Sequence, residues 1–226
     1  IYNVLKNARL QLFTPKMSTN IRYKSIKYGL KRLARVEKRI EEKLKREAKR
    51  YNKKYPGEML HVDTKRLPLL KSELKSKTRE YLFIGIDDYS RELYAGIYND
   101  KSQFSAAEFL QTNVLNECPY TIECIYSDNG REYQGIKEHQ FVKLCLQNRI
   151  NQKFTKPAHP QTNGKAERVL RTLMEMWHNK TDFKDSLDRK IELNRFINYY
   201  NTVKPHKGID GKTPYEVLDD YFKQKV

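Results

Sequence analysis

Met59, His61 and Asp63 alternate with Leu60, Val62 and Thr64, a period of two that predicts a strand with Asp63 within it or at its end. Tyr81–Asp87 is a second strand, Asp88–Arg91 a turn and Leu93–Tyr98 a third strand, so 81–98 is predicted as a β-hairpin. Phe104, Ala107, Leu110, Val114 and Leu115 fall on one side of the helix that follows. Ile122–Tyr126 is an apolar run of strand length, ended by Ser127-Asp128-Asn129-Gly130, where Asn-Gly signals a turn. Phe141, Leu144, Cys145 and Asn148 predict another helix, and Asn151–Phe154 a fifth strand. The polar loop Thr155–Gly164 leads into a helix at about 164–178, with Ala166, Leu170, Leu173 and Trp177 as its buried stripe and Glu167 one step round from it. Further helices are predicted at about 183–201 and 213–223, the last introduced by Thr213-Pro214. Three strands followed by alternating helices and strands imply an α/β architecture, a mixed five-stranded sheet flanked by helices.

Upstream, Ile26, Leu30, Leu33, Ile40, Leu44 and Tyr51 recur at spacings of three, four and seven, which predicts a long amphipathic helix over about 26–52. Its stripe must pack on the following domain or on a second copy of the chain. Pro56-Gly57 closes this region, so the expected organisation is a helical arm over 1–55 and a domain over 56–226. The sequence opens on Ile1 rather than Met, so the N-terminal part of the natural chain is expected to lie outside it.

Charge sharpens this division. The 226 residues carry 45 Lys and Arg against 28 Asp and Glu, a formal net charge of +17. Residues 1–55 alone hold 18 basic residues and 4 Glu, a net of +14. A field of that strength attracts a polyanion, nucleic acid or an acidic membrane surface, although a Lys-rich stretch is also an ordinary solvated helix face. No apolar run approaches the roughly 20 residues of a membrane helix. Cys118, Cys124 and Cys145 form no CxxC pair, which argues against a disulfide framework or a thiolate zinc site and for a reducing, intracellular setting.

Three carboxylates stand out by position: Asp63 on the first strand, Asp128 where a later strand ends, and Glu167 on a helix beside a glycine-containing loop. Carboxylates from separate elements can converge at one sheet edge and hold Mg²⁺ or Mn²⁺, and two such ions activate a nucleophile for in-line attack on phosphate. By spacing alone, the plainer alternatives stand ahead: Asp128 as a turn former and Glu167 as a solvated helix residue. Asp87 and Asp88 are rival carboxylates, better read as part of a hairpin turn.

The sequences around these acids change the balance. His61-Val-Asp63-Thr, Ile86-Asp-Asp-Tyr-Ser-Arg91, Ser127-Asp-Asn-Gly130 and His159-Pro-Gln-Thr-Asn-Gly-Lys-Ala-Glu-Arg168 occur in this order, followed by Tyr200-Asn201, Lys204-Pro-His206 and Gly211-Lys-Thr-Pro214. The set resembles the catalytic core shared by retroviral integrases and the bacterial insertion-sequence transposases of the DDE class, over about residues 56–220. Ile1–Leu10 is similar to the end of a helix-turn-helix recognition helix in such proteins. The resemblance implies a ribonuclease-H-like fold, Asp63, Asp128 and Glu167 as catalytic residues and ligands of two Mg²⁺ or Mn²⁺ ions, and cleavage at transposon ends with transfer of the 3′-hydroxyl strand into target DNA. It implies double-stranded DNA and further copies of the chain as partners, no membrane, and a place in the bacterial cytoplasm at the nucleoid. Thirty-eight residues separate Asp128 from Glu167, slightly more than in most relatives, which is attributed to extra residues near Gly135–His139. Lys165, Arg168, Lys156 and Arg131 around the acids, and Lys31, Arg32 and Arg35 on the arm, are the expected phosphate contacts. His61 is expected to support the strand from the core rather than to act as a ligand, His159 either approaches the site or shapes its loop, and Trp177 is expected in the core. An idle DNA-binding descendant and a simple nuclease of the same fold are the competing functions.

Overall fold

The run Tyr81-Leu-Phe-Ile-Gly-Ile-Asp87 holds no charge before its last residue, and a strand apolar on both faces is stable only inside a sheet covered on both sides. In the computed structural model, which describes residues 29–39, 53–70, 79–155 and 163–224, this run is β2 (Tyr81–Asp87). β1 (Leu60–Arg66) lies antiparallel beside it with Asp63 opposite Ile84, and β3 (Leu93–Tyr98) pairs antiparallel on the other side. β4 (Cys124–Ser127) joins β1 in parallel and β5 (Asn151–Phe154) joins β4 in parallel, giving the sheet order β3-β2-β1-β4-β5. The mixed five-stranded sheet is thus present, with β2, β3 and β5 at the bounds that the alternation predicts. β4 begins two residues later than its apolar run, because the Glu123 N–H bonds to the Gly57 carbonyl at 2.8 Å instead of entering the ladder.

Helices cover both faces. On one, Leu60, Val62 and Phe83 pack with Phe109, Leu110, Phe141 and Cys145. These come from α1 (Gln103–Glu108, continued by wider π turns over Phe109–Leu115) and α2 (Gln140–Gln147). On the other, Leu82, Ile84, Ile86, Ala95 and Ile97 meet Ala166, Val169, Leu170, Leu173 and Trp177 of α3 (Gly164–Leu173, continued as π turns over Met174–His178). They also meet Leu193, Phe196 and Tyr200 of α4 (Ser186–Thr202). The stripe expected on the helix at 164–178 is the buried one, Trp177 included. α5 (Pro214–Lys223) starts on a capping box in which Thr213 and Glu216 each accept the other's backbone N–H. Cys118, Cys124 and Cys145 are free thiols.

The chain divides into two compact units, Ile1–Tyr51 and Asn52–Val226. The division falls before Pro56-Gly57 because both residues are buried in the second unit, where the Gly57 N–H donates to Asp87 Oδ1 at 2.9 Å. Gly57 has φ +81°, and a Cβ there would stand 2.0 Å from the Thr121 carbonyl oxygen, so no other residue fits this turn. In the first unit residues 29–39 are helical, within the helix expected over 26–52; Ile26, Ile40, Leu44 and Tyr51 of its stripe lie outside the described residues.

One ion pair inside the second unit fixes α4 to the sheet. Arg189, 1% exposed, donates to Glu80 Oε2 and to the Pro68 carbonyl, each at 3.0 Å, and Ser186 Oγ donates to the other Glu80 oxygen. Breaking such a pair from one side strands a buried charge, which costs about 3–5 kcal/mol. Arg189→Ala should therefore lower the urea unfolding free energy by about that amount, and Arg189→Met with Glu80→Leu by clearly less. Equal losses in the two proteins would show that packing volume, not charge, sets the cost.

Candidate active site

β1 and β4 run parallel with Leu60 opposite Ile125 and His61 opposite Tyr126. Two residues further along both strands, on the same face, the register carries Asp63 alongside Asp128 at the point where β4 ends. Each acid has one oxygen fixed by its own backbone: the Thr64 N–H donates to Asp63 Oδ1 at 2.7 Å and the Gly130 N–H to Asp128 Oδ1 at 3.0 Å. Asn129 ties the same turn to the end of β5 by donating to the Thr155 carbonyl at 3.0 Å. α3 packs across β1 and β2, and Glu167 lies exposed on its first turn, where the partial positive charge of a helix N-terminus favours an acid.

The electrostatics show that these three acids share one neighbourhood. Burial, and then the charges of Asp128 and Glu167, push the Asp63 carboxyl up to about 6, against the opposing Thr64 N–H and Lys101. Like charges raise a carboxyl in this way because ionising the second acid beside the first costs Coulomb energy. Among the described residues, no three Asp, Glu, His or Cys side chains are gathered tightly enough to hold an ion as they stand. The donor set nevertheless fits a hard divalent cation: carboxylate oxygens are its preferred ligands, and positive charge relieves the repulsion felt at Asp63.

Behind the acids lies a buried polar hub. Asp88, fully buried, accepts from His61 Nε2 at 2.8 Å and from Lys165 Nζ at 2.5 Å on one oxygen, and from the Lys53 N–H at 2.9 Å on the other. Burial pushes its carboxyl up, but the bonds from His61 and Lys165 outweigh this and hold it well below the usual range. The other His61 nitrogen faces Asn163 Oδ1 at 3.3 Å, and Asn163 donates to the Val62 carbonyl at 3.2 Å. The hub therefore links β1, two residues before Asp63, to the start of α3, four residues before Glu167. Asp87 keeps the local role expected of the pair, accepting from the Tyr89 and Ser90 N–H groups of the turn at 3.1 and 2.7 Å.

His61 is buried, in the supporting place expected of it. The Lys165 ammonium, expected at a phosphate, is committed to Asp88 inside the protein. Arg131 and Arg168 are exposed, as are Lys31, Arg32 and Arg35 in the first unit; Lys156 and His159 lie outside the described residues. Sequence reasoning passed over Lys101 and Glu132, which form an ion pair of 2.9 Å beside the acids. Their signal was weak, since 30 residues separate them and only the fold brings them together.

Asp63 makes a pH-dependent prediction. Its carboxyl titrates near 6 in the folded protein against 3.8 normally, so its ionisation opposes folding. That cost is absent below the unfolded value, grows as the pH rises through 6 and is complete at neutral pH. Asp63→Asn should accordingly stabilise the metal-free protein at pH 7.5 by about 1–3 kcal/mol, allowing for solvent screening of a half-buried group, and by little at pH 4. Urea unfolding at the two pH values measures this, and a variant less stable than wild type at pH 7.5 contradicts it.

Comparison with known proteins accords with this geometry. Residues 148–214 match the family model described as "Integrase core domain", a stretch that includes Glu167 and stops short of Asp63 and Asp128. The chain is 35% identical over 97 residues to the retrovirus-related Pol polyprotein from transposon TNT 1-94 of Nicotiana tabacum, covering 42% of this chain and 7% of that one. It is 24% identical over 161 residues to the transposase for insertion sequence element IS904 of Lactococcus lactis, covering 70% of this chain and 58% of the relative. The chain thus spans less than two thirds of either relative's length. In fold it is similar to the HTLV-2 integrase catalytic core domain, solved in complex with magnesium in a trimeric form, with a TM-score of 0.58 at 13% identity over 72% of this chain and 97% of that one. The chain is thus similar over residues 148–214 to the integrase core domain family and, at lower identity over a longer stretch, to an insertion-sequence transposase, on a fold shared with a retroviral integrase catalytic core.

Proposed function

We propose that the second unit is the catalytic core of a divalent-metal-dependent DNA transposase, which cleaves DNA at transposon ends and transfers the 3′-hydroxyl strand into target DNA. The observation that carries this reading is the parallel register of β1 and β4, which sets Asp63 beside Asp128 where β4 ends, with Glu167 on the first turn of the helix packed across β1. Asp63, Asp128 and Glu167 would hold Mg²⁺ or Mn²⁺, two ions, which would supply activation of the attacking oxygen and charge stabilisation of the leaving one for in-line displacement at phosphorus. Asp63 and Asp128 supply the rigid ligands, since each is oriented by a backbone N–H and keeps its second oxygen free of bonds among the described residues. Glu167 completes the set from α3, whose start the Asp88 hub holds against β1. The magnesium held by the HTLV-2 core of the same fold supports this choice of ion. The basic region 1–55 holds double-stranded DNA through its phosphates, and further copies of the chain bring the two ends together in the bacterial cytoplasm, at the nucleoid.

A labelled duplex copied from the ends of the chain's own element, incubated with Mn²⁺ or Mg²⁺, tests the reading. The expected products are cleaved ends and joined strands, reduced to background in Asp128→Asn and Glu167→Gln with duplex affinity kept. Cleavage without joining would assign a nuclease, and binding without any product would assign an idle DNA-binding protein. Deleting residues 1–51 should weaken duplex binding and flatten its salt dependence, because the neutralised phosphates set that slope.

A further inference from the structure

Lys101 stands just ahead of α1, on a segment anchored from both sides. Ser102 caps α1 by accepting the Ser105 N–H at 3.2 Å, and Ser105 Oγ donates to Asp100 at 2.7 Å. Gln103 in turn accepts the N–H of Gln140 at the start of α2 at 2.7 Å. From this fixed base the ammonium meets Glu132 at 2.9 Å. Glu132 is 3% exposed, and its carboxylate fills the space beneath Gly130, where an added Cβ would stand 2.6 Å from Oε2. This accounts for the glycine in Ser127-Asp-Asn-Gly130: the turn that aims Asp128 must also admit the carboxylate of Glu132.

Burying a carboxylate next to other acids costs free energy unless a cation meets it, and Lys101 is that cation. Burial works against the charge on Lys101, but Glu132, and after it Asp128 and Asp63, raise the ammonium's pKa, so it stays protonated on the side of the acids. The lysine side chain is 39% exposed, and among the described residues Glu132 is the partner of its ammonium, which leaves donors for a ligand. A buried carboxylate that holds a half-exposed lysine beside paired acids is the arrangement expected of a phosphate contact. The acids alone repel a phosphodiester, and a fixed ammonium at their rim gives its non-bridging oxygen a partner. Lys165, the cation expected there, is occupied by Asp88 behind the site.

We propose that Lys101, held by Glu132, contacts the phosphodiester that the acids act on. The proposal rests on the function proposed above. In the cleavage assay with Mn²⁺, Lys101→Ala should lose about 10²-fold in kcat/KM, Lys101→Arg should recover much of it, and the Mn²⁺ concentration for half-maximal rate should not rise. A second arm uses the catalytically silenced Asp128→Asn protein and fluorescence anisotropy of the same labelled duplex. There, adding Lys101→Ala should reduce the slope of log affinity against log salt by about one, the signature of one lost phosphate contact. Lys101→Ala cleavage within twofold of wild type, full rescue by excess Mn²⁺, or an unchanged salt slope would each overturn the proposal. If wild type itself fails to cleave, the function proposed above falls, and the salt slope still decides whether Lys101 holds a phosphate.

Discussion

β1 has a partner on each side, antiparallel β2 and parallel β4, and its register against β4 decides that Asp63 falls beside Asp128. A slip of one residue would turn Asp63 to the opposite face and bring Leu60 and Val62 out of the apolar layer they share with Phe109 and Phe141. The hydrophobic cores on the two faces therefore enforce the placement of two like charges that would separate if free. Part of what burial contributes to folding is offset at Asp63, whose carboxyl is raised by desolvation and by its acidic neighbours. The sheet supplies the rigidity, and the acids draw on it.

Two lysines answer this concentration of negative charge from different sides. Lys165 donates to Asp88 in a hub that also takes in His61 and is joined through it to Asn163, so its charge is spent on holding α3 against β1. Lys101 approaches from the start of α1, braced by Glu132, and keeps an exposed ammonium next to Asp63 and Asp128. The first arrangement is structural, and the second leaves charge available to a phosphate.

Elements whose signals are local could be read directly from the chain. β2, β3 and β5 follow from alternation and apolar runs, α5 from Thr213-Pro214, and the stripe of α3 from its helical period. The three acids were singled out by the short motifs around them, since their spacing alone did not separate a ligand from a turn former. What could not be read depends on distant partners. Asp88 looks like a hairpin residue because the groups it holds, His61 and Lys165, lie 27 and 77 residues away. The π turns that continue α1 and α3 have no counterpart in the helical periodicity from which those helices were read.

The central claim is that Asp63, Asp128 and Glu167 form one metal site, and the metal's effect on thermal stability tests it without reference to turnover. At pH 7.5, titrating Mn²⁺ or Mg²⁺ into the full chain should raise the melting temperature saturably, by an amount equivalent to about 2.7 kcal/mol at a hundred times Kd. Asp63→Asn, Asp128→Asn and Glu167→Gln should each abolish or sharply weaken that rise, while Asp219→Asn, at a surface ion pair on α5, should leave it intact. A rise of equal size in wild type and in all three variants would contradict the account.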